Sequence, residues 1–526
     1  MPPQDPKVRQ IEHGYALLRG GQLQAALEHT SQLLALHPDD ASVQVLASET
    51  QLAHRNHDGA LAHIDRAISA SGGDAALQLK KAALLAHLRR RSEAIATVAA
   101  AADRQPGNGR VQWHAGSLAN HCNRPALALE YYAKARALLG EQPGLLYDIA
   151  VAQFFTGDFD GAEANLDRML AMTPAAGHAM YLRATLRRQS PTWNHVQDLQ
   201  GRLAKGVTPA EAEAAALYAL SKELSDLGEH ERAFSTLDAA ARRKRSTLQY
   251  TVSTEAAAIG AVMQAYDASV MATPTEGHGD GGAIFIVGMP RTGTTLVERL
   301  LVQQGNVVSA GELLDFGNLV GEYAQRSLDP TREDTPAQAS LRIDFASLGR
   351  EYMRGAREAA MGSPRFIDKM PVNYLYCGLI RKALPEARII HLRRDPLDCC
   401  YAVYKTLFFN AYHFSYTLEE LADYYIAYHR MMEHWHAVMP GAILEVRYEE
   451  LVDDTEAQAR RIIEWCGLPW DPAILSASPD KVAFATASAA QVREPVHRRS
   501  VGSSRRHLAA LRPLVDRLAA AGIAVD

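Results

Sequence analysis

The sequence predicts two architectures in one chain, an all-α solenoid of paired helices followed by an α/β domain with a parallel sheet. Three observations carry this. Alanines recur every 34 residues at Ala26, Ala60, Ala94, Ala128 and Ala162. Beyond residue 282 short β-branched runs appear at Ala283–Gly288, Arg388–Leu392 and Ile443–Tyr448, separated by helical patterns, which is how a sheet covered on both faces reads. Between the two lies Ala272–Gly282, where Gly, Pro and Thr dominate and no apolar period survives. The expected division is a solenoid over residues 7–271, a linker over 272–282 and an α/β domain over 283–526.

The repeat is more than a run of alanines. Pro38, Pro106 and Pro174 each follow an in-register alanine by 12 residues, and Gly21 and Gly157 each precede one by five. Seven residues after the alanines come Leu33, Ala67, Ala101 and Ala135. Small residues let two helices approach closely, and proline ends the second of them. A 34-residue period with these offsets is the tetratricopeptide signature. The register then degrades: Val196 stands where the next alanine is due, after Pro191, Thr192 and Trp193. Gly228, Ala233 and Ala240 resume the pattern three residues late, within Thr208–Arg243. The expectation is five clear repeats, one degenerate, one closing, and a last helix over Tyr250–Met271. Such solenoids present concave surfaces to peptides or partner proteins.

Composition narrows the function classes. The 526 residues are 47% hydrophobic and 22% charged, as in ordinary globular proteins. No run of 18 uncharged apolar residues exists, so no membrane span is expected. The first residues have no apolar core, so no secretory signal is expected. Five cysteines without a CxxC pair fit a reducing compartment and a cytoplasmic location. A net charge of −5 predicts no nucleic-acid partner.

The first strand of the second half runs into Gly288-Met-Pro-Arg-Thr-Gly-Thr-Thr295 and then a helix expected over Leu296–Gln304. Strand, Gly-rich turn and helix N-terminus form an anion site, since backbone N–H groups and the helix dipole both favour negative charge. A nucleotide triphosphatase would place Lys after the second glycine, but here Thr294 follows Gly293 and the positive charge is Arg291. A kinase or nucleotide triphosphatase is disfavoured on that ground.

The loop, with Leu296-Val-Glu-Arg-Leu-Leu301 after it, resembles the 5′-phosphosulfate loop of the sulfotransferase superfamily. Ser309-Ala-Gly-Glu-Leu313, Asp368-Lys-Met-Pro371, His391–Asp398 (HLRRDPLD), Glu445–Leu451 (EVRYEEL) and Ser488–Val496 (SAAQVREPV) resemble its later motifs in order. The whole chain is similar to bacterial fusions of tetratricopeptide repeats to a sulfotransferase domain, whose catalytic part resembles the protein-tyrosine sulfotransferases more than the cytosolic small-molecule enzymes. The resemblance implies transfer of a sulfuryl group from 3′-phosphoadenosine 5′-phosphosulfate (PAPS) to a hydroxyl acceptor, leaving 3′-phosphoadenosine 5′-phosphate (PAP), with no metal expected.

It also implies residue roles. Arg291, Thr292, Gly293, Thr294 and Thr295 cradle the phosphosulfate. Lys369 donates to the leaving phosphate; the alternative is a surface lysine paired with Asp368. Glu312 takes the acceptor proton, with Asp315 in reserve; the alternative is that Glu312 caps a helix beginning at Leu313. A carboxylate can act as base when partial burial raises its pKa. The histidine base of the cytosolic enzymes has no counterpart in Met370-Pro-Val372. Arg394 holds the 3′-phosphate, since a guanidinium binds phosphate bidentately, while Arg393 points to the opposite face of its strand. Ser488 approaches the sulfate end of the donor, and Gln491 and Arg493 lie beside it. Tyr448 sits near the adenine or, equally, in the core. Phe408, Phe409 and Tyr412 line the acceptor mouth or the core.

Two departures stand out. The family usually places Ser eight residues after the phosphate-binding arginine, but this chain has Ala402, and Lys405 is the nearest compensating charge. Relatives follow Ser-Val-Gly with a basic residue and Trp, whereas Ser500-Val-Gly502 is followed here by Ser503-Ser504 and then Arg505-Arg506. These keep open a rival reading: a repeat scaffold whose sulfotransferase-like domain binds nucleotide with little turnover. The acceptor is left among peptide (tyrosine included), carbohydrate, lipid and small-molecule hydroxyls, with a protein partner expected on the solenoid.

Overall fold

The structure, a computed structural model, describes residues 5–329, 331–475 and 496–525. The chain divides into two compact units, Met1–Asp148 and Ile149–Asp526.

The first unit is a run of helical hairpins: Pro6–Arg19 with Leu23–Leu36, Ala41–Ala53 with His57–Ala70, Ala75–His87 with Arg91–Arg104, and Gly109–His121 with Pro125–Leu139. Ala26, Ala60, Ala94 and Ala128 each stand fourth in the second helix of a pair, at most 1% exposed. The backbone makes the same left-handed turn between paired helices at every repeat. Gly21 has φ 68°, and the equivalent Arg55, Arg89 and Asn123 have φ 59°, 62° and 59°. Three residues with side chains thus occupy a conformation that glycine adopts at no steric cost. A groove of about 480 Å³ is lined by Leu18, Leu52 and Leu84 with Glu49 and Lys80 among them.

The second unit opens with the same pattern. Gly157 takes φ 90° before the helix Phe159–Met172, in which Ala162 is again fourth and fully buried. The degenerate stretch departs as expected: Gly177–Thr185 is short, Ser190 and Trp193 form a bridge, and Val196 begins the helix Val196–Ala204. Ala210–Asp226 and His230–Arg245 form the closing pair, with Gly228 at φ 84° between them and Ala233 in fourth place. The single helix expected over Tyr250–Met271 is two, Val252–Ala265 and Ala268–Ala272. The break has a local cause: the Asp267 carboxylate accepts from the Val270 N–H and starts a new helix, while buried Tyr266 meets Ser340 through its hydroxyl at 2.8 Å.

A five-stranded sheet follows, parallel throughout: β1 Ala283–Gly288, β2 Val308–Gly311, β3 Phe366–Asp368, β4 Arg388–Arg393 and β5 Ile443–Arg447, in the order β2-β3-β1-β4-β5. β1 is buried along its whole length. Its alternate residues feed two cores: Ala283, Phe285 and Val287 face one side, Ile284 and Ile286 the other. The first core is shared with the repeats, for Tyr218, Leu237 and Ala240 belong to it. Hydrogen bonds join them too: the Leu407 N–H donates to Tyr181 Oη at 3.0 Å, and Arg245 pairs with Glu420 at 2.7 Å. Residues 273–282 carry no regular structure, and the His278 N–H donates to the Ala383 carbonyl at 2.8 Å.

Candidate functional site

β1 delivers the chain into a tight loop that ends at the helix Thr294–Gln303, two residues earlier than expected, with Gly293 at its N-cap. Gly288, Arg291 and Gly293 all have positive φ, 150°, 67° and 102°. Both glycines are required by space: a Cβ on Gly288 would stand 2.5 Å from the Leu392 carbonyl oxygen, and one on Gly293 2.5 Å from the Tyr448 ring. The Thr292 hydroxyl donates to the Met289 carbonyl at 2.8 Å and pins the loop. The first N–H groups of the following helix have no partner within the helix, which suits an anion.

Arg394 follows β4 directly and is 6% exposed. It donates to the Arg291 carbonyl at 3.1 Å and the Ser500 carbonyl at 2.5 Å, and its guanidinium lies 4.9 Å from the centroid of the Tyr448 ring. Its Nε is buried with no hydrogen-bond partner. A buried cation with an unused donor, beside a glycine cradle, fits a phosphorylated ligand. Arg393 ends β4 facing out toward Glu445, as the strand alternation predicts. Burial pushes the Arg291 guanidinium below its ordinary range; Arg394 adds to this, and Tyr181, Tyr448 and Glu312 oppose it. Tyr448 opens the helix Tyr448–Asp453 and is 8% exposed, packed between Gly293 and Arg394.

A second cluster forms where β3 ends. Lys369 is 1% exposed. Its ammonium donates to Glu312 and lies 3.8 Å from Glu298. Burial pulls the Lys369 pKa down, but Glu312 and Glu298 outweigh it and the net shift is upward. Burial raises the Glu298 carboxyl, against Lys369 and the Ser309 hydroxyl. Lys369 is therefore not a surface lysine paired with Asp368. The Asp368 carboxylate instead accepts from Tyr352 Oη at 2.7 Å, Asn373 Nδ2 at 3.1 Å and the Leu313 N–H at 3.3 Å. Nor does Glu312 cap a helix at Leu313: the next helix is Asp315–Arg326, with Leu314 as its N-cap. Asp315 is 6% exposed at that helix start. Glu312 keeps a third of its side chain exposed.

Sequence reasoning missed two residues. Glu298 lies four residues after Thr294, on the face of the helix that carries the loop, and that spacing was the available signal. Asp398 lies four after Arg394. It is 1% exposed and receives the Gly502 N–H at 2.5 Å, the Ser504 N–H at 2.9 Å, and the Ser504 and Ser503 hydroxyls at 2.7 and 3.3 Å. The serines that replace the expected basic–Trp pair thus anchor the segment whose Ser500 carbonyl holds Arg394. Ala402 is buried at 5%. Lys405 is exposed, with its ammonium 5.0 Å from the centroid of the Tyr401 ring, and its pKa is pushed down to about 8, first by desolvation and then by Arg394 and Arg291. Phe408 and Tyr412 are half-buried and Phe409 is exposed at 40%. Burial, and then Glu312, raise the Tyr412 phenol. Ser488, Gln491 and Arg493 lie outside the described residues.

Comparison with known proteins agrees with these two halves. Residues 283–472 match the sulfotransferase family, and residues 11–75 and 147–193 match the tetratricopeptide repeat. An uncharacterized protein of Aquifex aeolicus is 28% identical over 383 residues, 71% of this chain and 50% of that one. The protein-tyrosine sulfotransferase A of Caenorhabditis elegans is 25% identical over 198 residues, 36% of this chain and 51% of that one. The sulfotransferase domain of the Synechococcus PCC 7002 olefin synthase aligns with 44% of this chain and 90% of its own at 19% identity, with a TM-score of 0.33. The chain spans about half the length of the first curated relatives it matches. No helix among the described residues is long and apolar enough to cross a membrane. The chain therefore carries a sulfotransferase-family domain over residues 283–472, joined to tetratricopeptide repeats.

Proposed function

We propose that the protein transfers a sulfuryl group from PAPS to a hydroxyl acceptor. The observation that carries this is the contact of a buried lysine with two glutamates, one of them open to solvent, beside a loop built for an anion. Arg291, Thr292, Gly293, Thr294 and Thr295 would cradle the 5′-phosphosulfate. Arg394 would hold the 3′-phosphate with its unused Nε, and Tyr448 supports Arg394 and the loop from beneath. Bound PAPS supplies the sulfuryl group and a phosphate leaving group. Glu312 takes the acceptor proton as the acceptor oxygen attacks sulfur. Lys369, released from Glu312 as that carboxylate is protonated, donates to the bridging oxygen as the sulfur–oxygen bond breaks; Ser488 is assigned the same charge by resemblance. Glu298 keeps the Lys369 ammonium charged and aimed. Gln491 and Arg493 complete the donor side, and no resident metal takes part in this step.

The repeats recruit the acceptor or a partner protein, for which the groove lined by Leu18, Leu52 and Leu84 offers an apolar floor with Glu49 and Lys80. Peptide tyrosine is the first acceptor to test. In functional terms we keep the division into solenoid 7–271, linker 272–282 and transferase domain 283–526. A cytoplasmic location is supported by five cysteines that are all free and buried. The test is mass spectrometry of candidate peptide, carbohydrate and small-molecule acceptors incubated with PAPS. A sulfated product from the wild type supports the reading. PAP binding in calorimetry with no product on any acceptor favours the scaffold instead.

A further inference from the structure

On the sheet edge away from the lysine–glutamate cluster, three side chains from three elements converge. His391 comes from β4, Glu445 from β5, and His436 from the helix Leu418–Val438. Glu445 Oε2 lies 3.6 Å from His391 Nδ1 and 3.6 Å from His436 Nε2, and the three atoms lie within 4.8 Å of one another. Both nitrogens are buried with no partner closer than Glu445 itself at 3.6 Å, and His391 is 2% exposed.

We infer that His391, His436 and Glu445 form a binding site for a divalent transition-metal ion of the zinc type. Tetrahedral coordination with bonds of about 2.0–2.2 Å places neighbouring ligand atoms about 3.3–3.5 Å apart. The two separations to Glu445 need closure by only a few tenths of an ångström, while the two imidazole nitrogens, within 4.8 Å of each other, must draw together by about an ångström, which a rotation of the part-exposed His436 ring supplies. Two imidazoles and one carboxylate are a zinc ligand set that leaves a fourth position for water. The three residues border a cavity of about 40 Å³, room enough for that water.

The surroundings suit such a site. His391 Nε2 meets Tyr428 Oη at 2.6 Å, so an Nε2–H donated to the phenol oxygen leaves Nδ1 free to coordinate. Outer partners of this kind fix the ring of a ligating histidine. Arg393 lies 3.5 Å from the other carboxylate oxygen, Oε1, so Glu445 turns a single oxygen toward the histidines. The ion would tie the long helix to two strands of the sheet. It would also fix His391, three residues before Arg394.

The test uses the full chain stripped with a chelator and titrated with Zn²⁺ against a chromophoric competitor. One equivalent should bind, and Co²⁺ in its place should give the visible bands of tetrahedral coordination. His436→Ala and Glu445→Gln should each weaken Zn²⁺ binding on the order of 100-fold or more, with the circular dichroism spectrum unchanged. X-ray absorption of the Zn²⁺-loaded wild type needs no variant and should show only nitrogen and oxygen neighbours, two of them imidazoles. Absence of stoichiometric binding, equal affinity in both variants, or sulfur in the metal shell would overturn the assignment and leave a hydrogen-bonded cluster.

Discussion

Asp398→Asn probes how the C-terminal segment serves the candidate site. The wild-type carboxylate accepts four hydrogen bonds from Gly502, Ser503 and Ser504, at 2.5 to 3.3 Å, in a position 1% exposed. Asparagine keeps one acceptor oxygen. Its amide group would face the Gly502 N–H, donor against donor. Losing one charge-assisted bond and stranding its donor costs about 1.5–3 kcal/mol. The strain falls on residues 500–504, whose Ser500 carbonyl holds Arg394. If that energy passes to Arg394, PAP affinity falls about 10- to 150-fold. Isothermal titration reads the affinity, and amide hydrogen exchange reads protection over residues 500–507. Both should fall together while the helices of the first unit stay protected. Wild-type protection of residues 500–507 in the variant would refute the reasoning, whatever the affinity.

Three further outcomes are expected. Arg55→Gly relieves a left-handed residue at φ 59°; the relief of about 1–2 kcal/mol, less about 0.5–1 for the freer unfolded chain, leaves about 0–1.5 kcal/mol, so the urea midpoint of the N-terminal transition should hold or rise, and a lower midpoint contradicts it. Burial raises the Asp368 carboxyl to about 7, partly offset by Tyr352, Leu313 and Asn373. Between the unfolded value near 4 and that folded value the native state holds the extra proton, so stability falls as pH rises, by at most about 1.4 kcal/mol per unit; Asp368→Asn should remove this slope in denaturant melts between pH 4 and 7, and a slope that survives would disprove the assignment. Gly293→Ala places a methyl 2.5 Å from the Tyr448 ring at φ 102° and should weaken PAP binding about 5- to 30-fold, the equivalent of the roughly 1–2 kcal/mol that the strained residue costs; unchanged affinity would show that the cradle is not used.

Much of this was legible in the sequence because it rests on local physics. Ala26 to Ala162 are spaced by the length of one helical pair, and each is buried at the same place in its helix. β1 reads directly as a strand because it is buried on both faces and carries no polar residue. β2 does not, since Val308-Ser-Ala-Gly311 lacks an apolar run and is a strand only through its pairing with β3. The loop glycines were legible as a tight turn between strand and helix, but the reason for Gly293 lies in Tyr448, more than 150 residues later. Glu298 and Asp398 were hidden for the same reason. Each looks like an ordinary surface charge on a helix, and only the distant Lys369 and Ser504 show why it is buried.

The most direct measurement is the rate of sulfated product formed from PAPS by the wild type, Lys369→Ala and Glu312→Gln, on an acceptor found by mass spectrometry. Loss of a preorganised donor or of a general base should each lower the rate by about 10²- to 10⁴-fold, with PAP affinity changed far less for Glu312→Gln than for Lys369→Ala. Wild-type rates in both variants would contradict the assignment of this site.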